Sequence, residues 1–513
     1  MNMKKLHLVI ITMVLLISTN VFSQSKTLEN VVEVDLQSSV EITNNKQIVG
    51  YAFFYKIDKL KKAAMYRLEI LDENLKPIGN NEFEGPKDLL LRRAVYESNQ
   101  VLLSFYDKDK KDGYERFVKI FDLKGKETGM VPYDPDKVKK GMFGAAIAAQ
   151  MENIYEGTDN VEGKGFICVY QSKAKTGGVN LQMIGTDGKL KWEQSITADK
   201  GDRSDLYLLS TTPNAILLFE MDKGSIMSKD ADLFLVGLST TDGKQLFKKP
   251  LDINGLSFEP MLIKTDNTGK LKMVSTMYDQ SSKFATSKPI GFSIAELNDV
   301  TGDIKIVKNF NYLNDLGTVL DMKNESKSED GYIKAHNLCM MPDGSMVLVG
   351  EFFRKTVSAG GMAMKILSKG SASAAQATIE DMFLLRIDNT LKAKSLEKIE
   401  KDKERYPLPT DGLSIGLMAR LLTYDHSFGY MYTDEGLNGQ NQTIVARGSF
   451  GDEKYGTVAI TIDPKKGFTQ KRFNIEKEKN IKYYITRGKP GTVLVMKYNS
   501  KEKTISLNLE NVK

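Results

Sequence analysis

Residues 231–250 read ADLFLVGLSTTDGKQLFKKP: an alternating apolar run, a Thr-Asp-Gly-Lys bend and a second short run. Alternation with a period of two marks a half-buried strand. Asp-Gly is ambiguous, because it both forms tight turns and offers oxygens to a metal. Recurrence decides between a bend and a ligand site. The same order of apolar run, polar loop, alternating run, Asp/Gly/Asn/Lys turn and short trailing run returns along the chain.

First runs begin at Ile48, Val101, Phe166, Ala215, Leu271, Met346, Gly429 and Thr492, which makes eight units. Their partners alternate more strictly, as in MYRLEILD, RFVKIFDL, DMFLLRIDN and TVAITIDP, and seven of the eight close in a turn such as DENLKPIG, DLKGKETG, GTDGKLKW or DNTLKAKS. Ahead of the first runs lie further candidate strands, among them SDLYLLST, SFEPMLIKT and NIKYYITRG. Four consecutive strands per unit, repeated at about 50 to 80 residues, predict an all-β fold, a β-propeller of four-stranded antiparallel blades. Eight blades are expected, with seven as the alternative count. The last unit lacks a fourth strand, and LENVVEVDL, Leu28 to Leu36, is spare; its pairing with the last blade would close the ring and remove an exposed edge.

The start of the chain has the layout of a secretory signal peptide: Lys4 and Lys5, the apolar run Leu6 to Ile17, and a small-residue exit. Cleavage after Ser23 divides the chain into residues 1–23, the signal peptide, and residues 24–513, a single propeller domain. The apolar run is shorter than the ~20 residues of a membrane span, so no transmembrane segment is expected after cleavage. Removing two lysines lowers the net charge from +6 to +4. Acids and bases are interspersed, and no basic tract is interleaved with aromatics, which argues against a nucleic-acid partner. Cys168 and Cys339 each lie inside an apolar strand-like segment, as buried thiols rather than a disulfide framework.

Two segments break the repeat. Residues 135–152 and 357–381 are rich in Ala, Gly, Met and Lys, and the second sits between the two strands of a hairpin, so it is expected to project from one face as a short helix or lid.

Catalytic chemistry is sparse. After the signal peptide the histidines are His336 and His426, in different units, too few for a His-rich zinc site. Gly412-x-Ser414-x-Gly416, followed by Asp425 and His426, has the form of a nucleophile elbow, but all three triad residue types fall within a short, strand-rich stretch, and turn-forming glycines explain it better. Asp107, Asp109 and Asp112 ahead of Gly113 resemble an acidic calcium loop that is one residue too long and is flanked by Lys108, Lys110, Lys111 and Arg116; they are the metal candidates, and a solvated hairpin loop is the competing reading. The single tryptophan, Trp192, does not form the repeated motif of quinone-cofactor propellers. No catalytic or cofactor-binding residue is assigned, and no cofactor is expected.

With its VFSQ exit, eight strand units and the AGGMAMKILSKG insertion ahead of IEDMFLLRIDN, the chain resembles uncharacterised exported propeller-like proteins of Bacteroidota. The resemblance implies a periplasmic or secreted protein and carries no catalytic residues with it. The expected function is a monomeric binding or scaffold module that holds a protein or cell-envelope component through its loops, with the 357–381 insertion among them. A glycan-active hydrolase or lyase with carboxylates in the central channel is the alternative.

Overall fold

The computed structural model describes residues 24–36, 39–44, 47–107, 115–134, 157–172, 176–197, 203–223, 230–266, 268–279, 287–320, 322–324, 327–328, 331–367, 373–411, 413–434, 442–449, 455–463, 467–475 and 478–512. Strands dominate because the repeat alternates Val, Ile, Leu, Tyr and Phe with polar residues, a pattern that fits a pleated surface covered on one or both faces. Apart from a two-stranded ribbon of Met322–Asn324 and Lys327–Ser328, they assemble into eight antiparallel blade sheets in sequence order. The first seven blades occupy residues 40–86, 89–134, 157–196, 203–250, 252–311, 332–407 and 430–475, and the eighth is built from 481–511 together with 24–28.

Burial depends on position in the blade. Second strands such as Gly165–Gln171 and Ala215–Lys223 are covered on both faces, because a neighbouring blade packs on each side. Outer strands such as Leu190–Ile196 keep an exposed, alternating pattern. Eight hydrophobic clusters each draw side chains from adjacent blades, and the last joins blade eight to blade one through Leu28, Tyr51, Leu494 and Leu507. Eight interfaces for eight blades make a closed ring, so the count is eight rather than seven.

The ring closes as expected in kind, but the closing strand lies earlier in the chain. Gln24–Leu28 pairs with the last strand, Gln24 opposite Leu509 and Leu28 opposite Ile505. The segment after Leu28 bridges blades instead: Val31 N donates to Lys503 O at 2.9 Å and Val32 N to Lys56 O at 2.9 Å. Asn30 turns the chain out of the sheet with a left-handed backbone (φ 60°), a conformation Asn tolerates. A second shift concerns unit seven, where Tyr430–Asp434 is the innermost strand and Gln442–Ser449 the one behind it. Arg447 and Gly448 interrupt the apolar pattern of that second strand and hide it from a hydrophobicity reading.

The recurring turn is architectural. In TDGK, Gly243 has φ 72° and its N donates to Ser239 O at 2.9 Å. Asp242 accepts from Lys244 N at 3.3 Å and pairs with the Lys244 ammonium at 2.8 Å, which, with help from Ser239, holds its carboxyl at about 2. A Cβ on Gly243 would stand 2.6 Å from Gln194 Cγ and 2.8 Å from the Trp192 ring, both on the outer strand of blade three. The Trp192 indole donates to Thr240 O at 3.2 Å across the same contact. This turn therefore rests on the preceding blade, as do those of Gly125 against Asn80 and Gly188 against Gly129. Leu75 and Leu391 occupy the left-handed position in their own turns, with φ 62° and 61°.

Among the described residues, two helices interrupt the ring. Helix α1, Ala359–Leu367, sits at the tip of the blade-six hairpin, and helix α2, Ile415–Tyr424, connects blades six and seven. The segment expected to be an insertion over 357–381 is a helix between two continuing strands, Met346–Val357 and Ala375–Ile387, which pair as far as Val357 opposite Ala375. The 135–152 segment lies outside the described residues.

Candidate functional site

Helix α2 falls where a strand-rich region was expected. Ser414, the centre of the formal elbow motif, is its N-cap: the backbone is extended there (φ −64°, ψ 164°) and the hydroxyl accepts from Leu417 N at 3.3 Å. A capping serine satisfies one of the amides that a helix start leaves open. Asp425 is the C-cap, and His426 follows in a left-handed conformation. Ser414, Asp425 and His426 thus bound one helix at its two ends, separated by ten intervening residues. They form no triad.

The helix lies across the axis of the ring. Near its middle, Arg420 stacks on Tyr207 and Phe219 of blade four, 4.8 and 4.7 Å from the ring centres, and its guanidinium donates to Pro260 O of blade five at 3.0 Å. At its far end, Arg93 of blade two stacks over Tyr424 at 5.5 Å. Just beyond, His426 O accepts from Arg447 of blade seven at 2.6 Å, and Arg447 stacks on Tyr484 of blade eight at 5.0 Å. Arg93, Tyr207, Glu259 and Tyr484 all lie on innermost strands. Only the axial opening is bordered by innermost strands of blades that are not neighbours. Met418, Leu421 and Leu422 are buried against this rim and make the helix a plug.

Under the first half of the plug, between blades five and six, is a cavity of about 30 Å³ lined by Glu259, Thr276, Tyr278, Lys334, Gly416 and Arg420 among others. Glu259 accepts from the Tyr278 hydroxyl at 3.0 Å and faces Arg420 Nε at 3.4 Å. Burial, with the Glu259 carboxylate beside it, raises the Tyr278 phenol well above its ordinary value, so it stays neutral. Lys334 is 8% exposed and donates to Met261 O at 3.2 Å. Burial, and then the nearby Arg420 charge, pull its ammonium down to about 8 against the opposing effect of Glu259. A Cβ on Gly416 would stand 2.0 Å from Glu259 Oε2, so this carboxylate requires a glycine in the first turn of the helix.

A second buried acid, Glu351, holds blade six to the chain that follows the plug. It accepts from Gly429 N at 3.1 Å and Tyr430 N at 2.8 Å, and pairs with Lys401 at 2.8 Å and His336 at 3.2 Å. Burial alone would raise its pKa, but Lys401 and His336 together hold the carboxyl well below the usual range. Burial lowers the His336 pKa and favours the neutral ring, which stacks on Tyr430 at 5.1 Å.

Other acids of the innermost strands stitch blades together. Glu97 of blade two accepts from Asn160 Nδ2 and Gly163 N of blade three, both at 3.1 Å. Asp159 of blade three accepts from the Thr211 hydroxyl of blade four at 3.3 Å. Glu41 of blade one accepts from the Thr486 hydroxyl and from Arg487 N of blade eight.

Of the metal candidates, Asp107 ends the second strand of blade two, whereas Asp109 and Asp112 lie outside the described residues. Among the described residues no group of three or more His, Cys, Asp or Glu could hold a metal ion. Cys168 and Cys339 are both buried, and burial pushes the Cys168 thiol up to about 12.

On the same end of the ring as the plug, α1 is tied down through Asp411, four residues ahead of the plug. Asp411 accepts from Lys365 of α1 at 2.5 Å, from the Ser373 hydroxyl at 2.8 Å, and from Ala374 N and Ala375 N at 3.0 and 2.9 Å. Lys355 reaches Leu413 O at 3.0 Å. Beside this anchored base, Val357 and Met362 are exposed, at 65% and 49%.

Sequence reading missed the plug and the cavity. Ser414 followed by Met418, Leu421 and Leu422 has helical spacing with a capping residue, a signal present in the chain. Glu259, Lys334 and Glu351 had none, since each is one charge inside an apolar strand among many charged residues.

The sheets, the eight shared clusters and the closing strand define an eight-bladed β-propeller whose axis is plugged by a helix. The chain belongs to DUF6770, a family of unknown function, which matches residues 2–513. Comparison with curated proteins returns no match. Among solved structures the chain is similar to the WD40 domain of SCAP from fission yeast, at 9% identity over 96% of this chain and 99% of that one, TM-score 0.36. It is also similar to the β-propeller domain of the Trilobed protease from Pyrococcus furiosus, at 11% identity over 83% and 98%, TM-score 0.36. A third likeness is to Porphyromonas gingivalis dipeptidyl peptidase 4, at 10% identity over 90% and 58%, TM-score 0.40.

Proposed function

We propose that this propeller is an exported, non-enzymatic binding or scaffold module, acting as a monomer in the periplasm or outside the cell. It holds a protein or cell-envelope component on the end of the ring that carries α1 and the plug. The observation that carries this reading is the plugged axis: α2 occupies the place where a channel enzyme would admit a substrate. Glu97, Asp159 and Glu41 are engaged between blades, whereas a glycan hydrolase needs a pair of carboxylates flanking a bound sugar. The two elements that depart from the repeat meet at Asp411, and the exposed Val357 and Met362 stand next to that junction. Non-repeating loops on a rigid frame are where binding functions concentrate. The signal-peptide layout of the first 23 residues supports export.

The test compares wild type with the double variant Val357→Glu/Met362→Glu as baits in a native envelope extract. Both residues are exposed, so the fold and the melting temperature should be unchanged. Recovery of a partner by the wild type that falls at least tenfold with the variant is the expected result. Equal recovery by both proteins would remove α1 from the binding surface.

A further inference from the structure

The cavity beneath the plug carries an excess of positive charge. Its lining holds two cations, Lys334 and Arg420, and one carboxylate, Glu259, and Tyr278 spends its proton on that carboxylate. Both oxygens of Glu259 are engaged, Oε2 by Tyr278 at 3.0 Å and Oε1 by Arg420 at 3.4 Å. Lys334 has its described bond to a backbone carbonyl, Met261 O at 3.2 Å, while an ammonium has three donors to place. Arg420 is committed to Pro260 O and to two aromatic faces. A cation buried in an apolar surround is costly unless a counter-charge reaches it. The cavity, about 30 Å³, exceeds the roughly 10–15 Å³ that one water requires, so it has room for a small ion.

We propose that this cavity is a binding site for a small monovalent anion, a halide or a carboxylate the size of formate, held by the Lys334 ammonium with the Thr276 hydroxyl and the Arg420 guanidinium around it. The anion balances the lining and locks the first half of the plug to blades five and six.

Two measurements on the full-length mature protein test the site. Thermal unfolding is followed in sodium chloride, sodium formate and sodium gluconate at equal ionic strength, and crystals are soaked in sodium bromide and, separately, in sodium formate. The site predicts a saturable rise of about 2–3 °C over gluconate at an anion concentration near a hundred times the dissociation constant. It also predicts a bromide anomalous peak, or formate density, within about 3.5 Å of Lys334 Nζ. A halide site responds to chloride and bromide, and a carboxylate site to formate alone. Lys334→Met should abolish the increment. Overlap of all three unfolding curves with an empty cavity in both soaks overturns the proposal, as does an undiminished increment in Lys334→Met. If that variant does not fold, the wild-type soaks decide alone.

Discussion

Replacing a helical glycine by alanine ordinarily stabilises a helix by up to about 1 kcal/mol. At position 416 the structure reverses the sign. An alanine Cβ would stand 2.0, 2.2 and 2.3 Å from Oε2, Oε1 and Cδ of Glu259, where real contacts stay beyond 3.0 Å. Glu259 must therefore retreat by about an ångström or the helix must lift. Retreat sacrifices the bonds from the Tyr278 hydroxyl at 3.0 Å and Arg420 Nε at 3.4 Å. Hydrogen bonds to a charged group contribute about 1.5–3 kcal/mol each, and the longer Arg420 contact belongs at or below the low end. After the helix-propensity gain is subtracted, Gly416→Ala should destabilise by about 1–4 kcal/mol. At about 2.1 cal/mol/K per residue over some 490 residues, that is a melting temperature lowered by about 1–4 °C. Scanning calorimetry resolves such a change. A double-mutant cycle sharpens it: with Glu259→Ala already in place the clash is gone, and adding Gly416→Ala should raise the melting temperature by up to about 1 °C. If Gly416→Ala stabilises the wild type, or destabilises both backgrounds equally, then Gly416 does not serve the approach of Glu259.

Two further outcomes follow from the ring and its buried acids. Glu351→Gln leaves the Lys401 ammonium buried without a counter-charge, which costs about 3–5 kcal/mol, or about 3–5 °C by calorimetry at pH 7. Because the folded pKa of Glu351 lies below its unfolded value of 4.5, its contribution is present above that value and fades as pH falls through and below it. The gap between wild type and Glu351→Gln should therefore narrow from pH 7 to pH 3.5, and a gap that widens would refute the assignment. Leu28, 1% exposed in the closing strand, should cost about 2–5 kcal/mol as Leu28→Ala, read as a melting temperature about 2–5 °C lower, whereas the exposed Thr27→Ala should leave it unchanged. Identical melting of the two variants would count against closure by Gln24–Leu28.

Much of the ring was legible because a propeller repeats its local physics. Alternating runs such as DLFLVGLS and turns such as TDGK carry strand period and left-handed backbone in a few contiguous residues, and recurrence multiplies that signal. The boundary errors fell where local chemistry is weak. The closing strand QSKTL has one large apolar residue, Leu28, and its pairing depends on a partner almost 480 residues away. Unit seven was displaced because its second strand carries Arg447 and Gly448. Elbow-like residues at 412–416 were read as turn-forming glycines in a strand-rich stretch, whereas the apolar spacing after Ser414 is helical and Gly416 lies inside the helix.

By itself, then, the chain determined its class and the role of its turns, because those follow from short-range alternation and backbone preference, whereas eight blades rather than seven was decided by the interfaces that close the ring. Which charges matter was decided by tertiary structure alone. Glu259, Lys334 and Arg420 come from blade five, blade six and the plug, and they meet because the ring brings the inner edges of separate blades to one axis. A lone charge in an apolar strand does not specify which partner will face it across that axis, nor whether the space between them stays open.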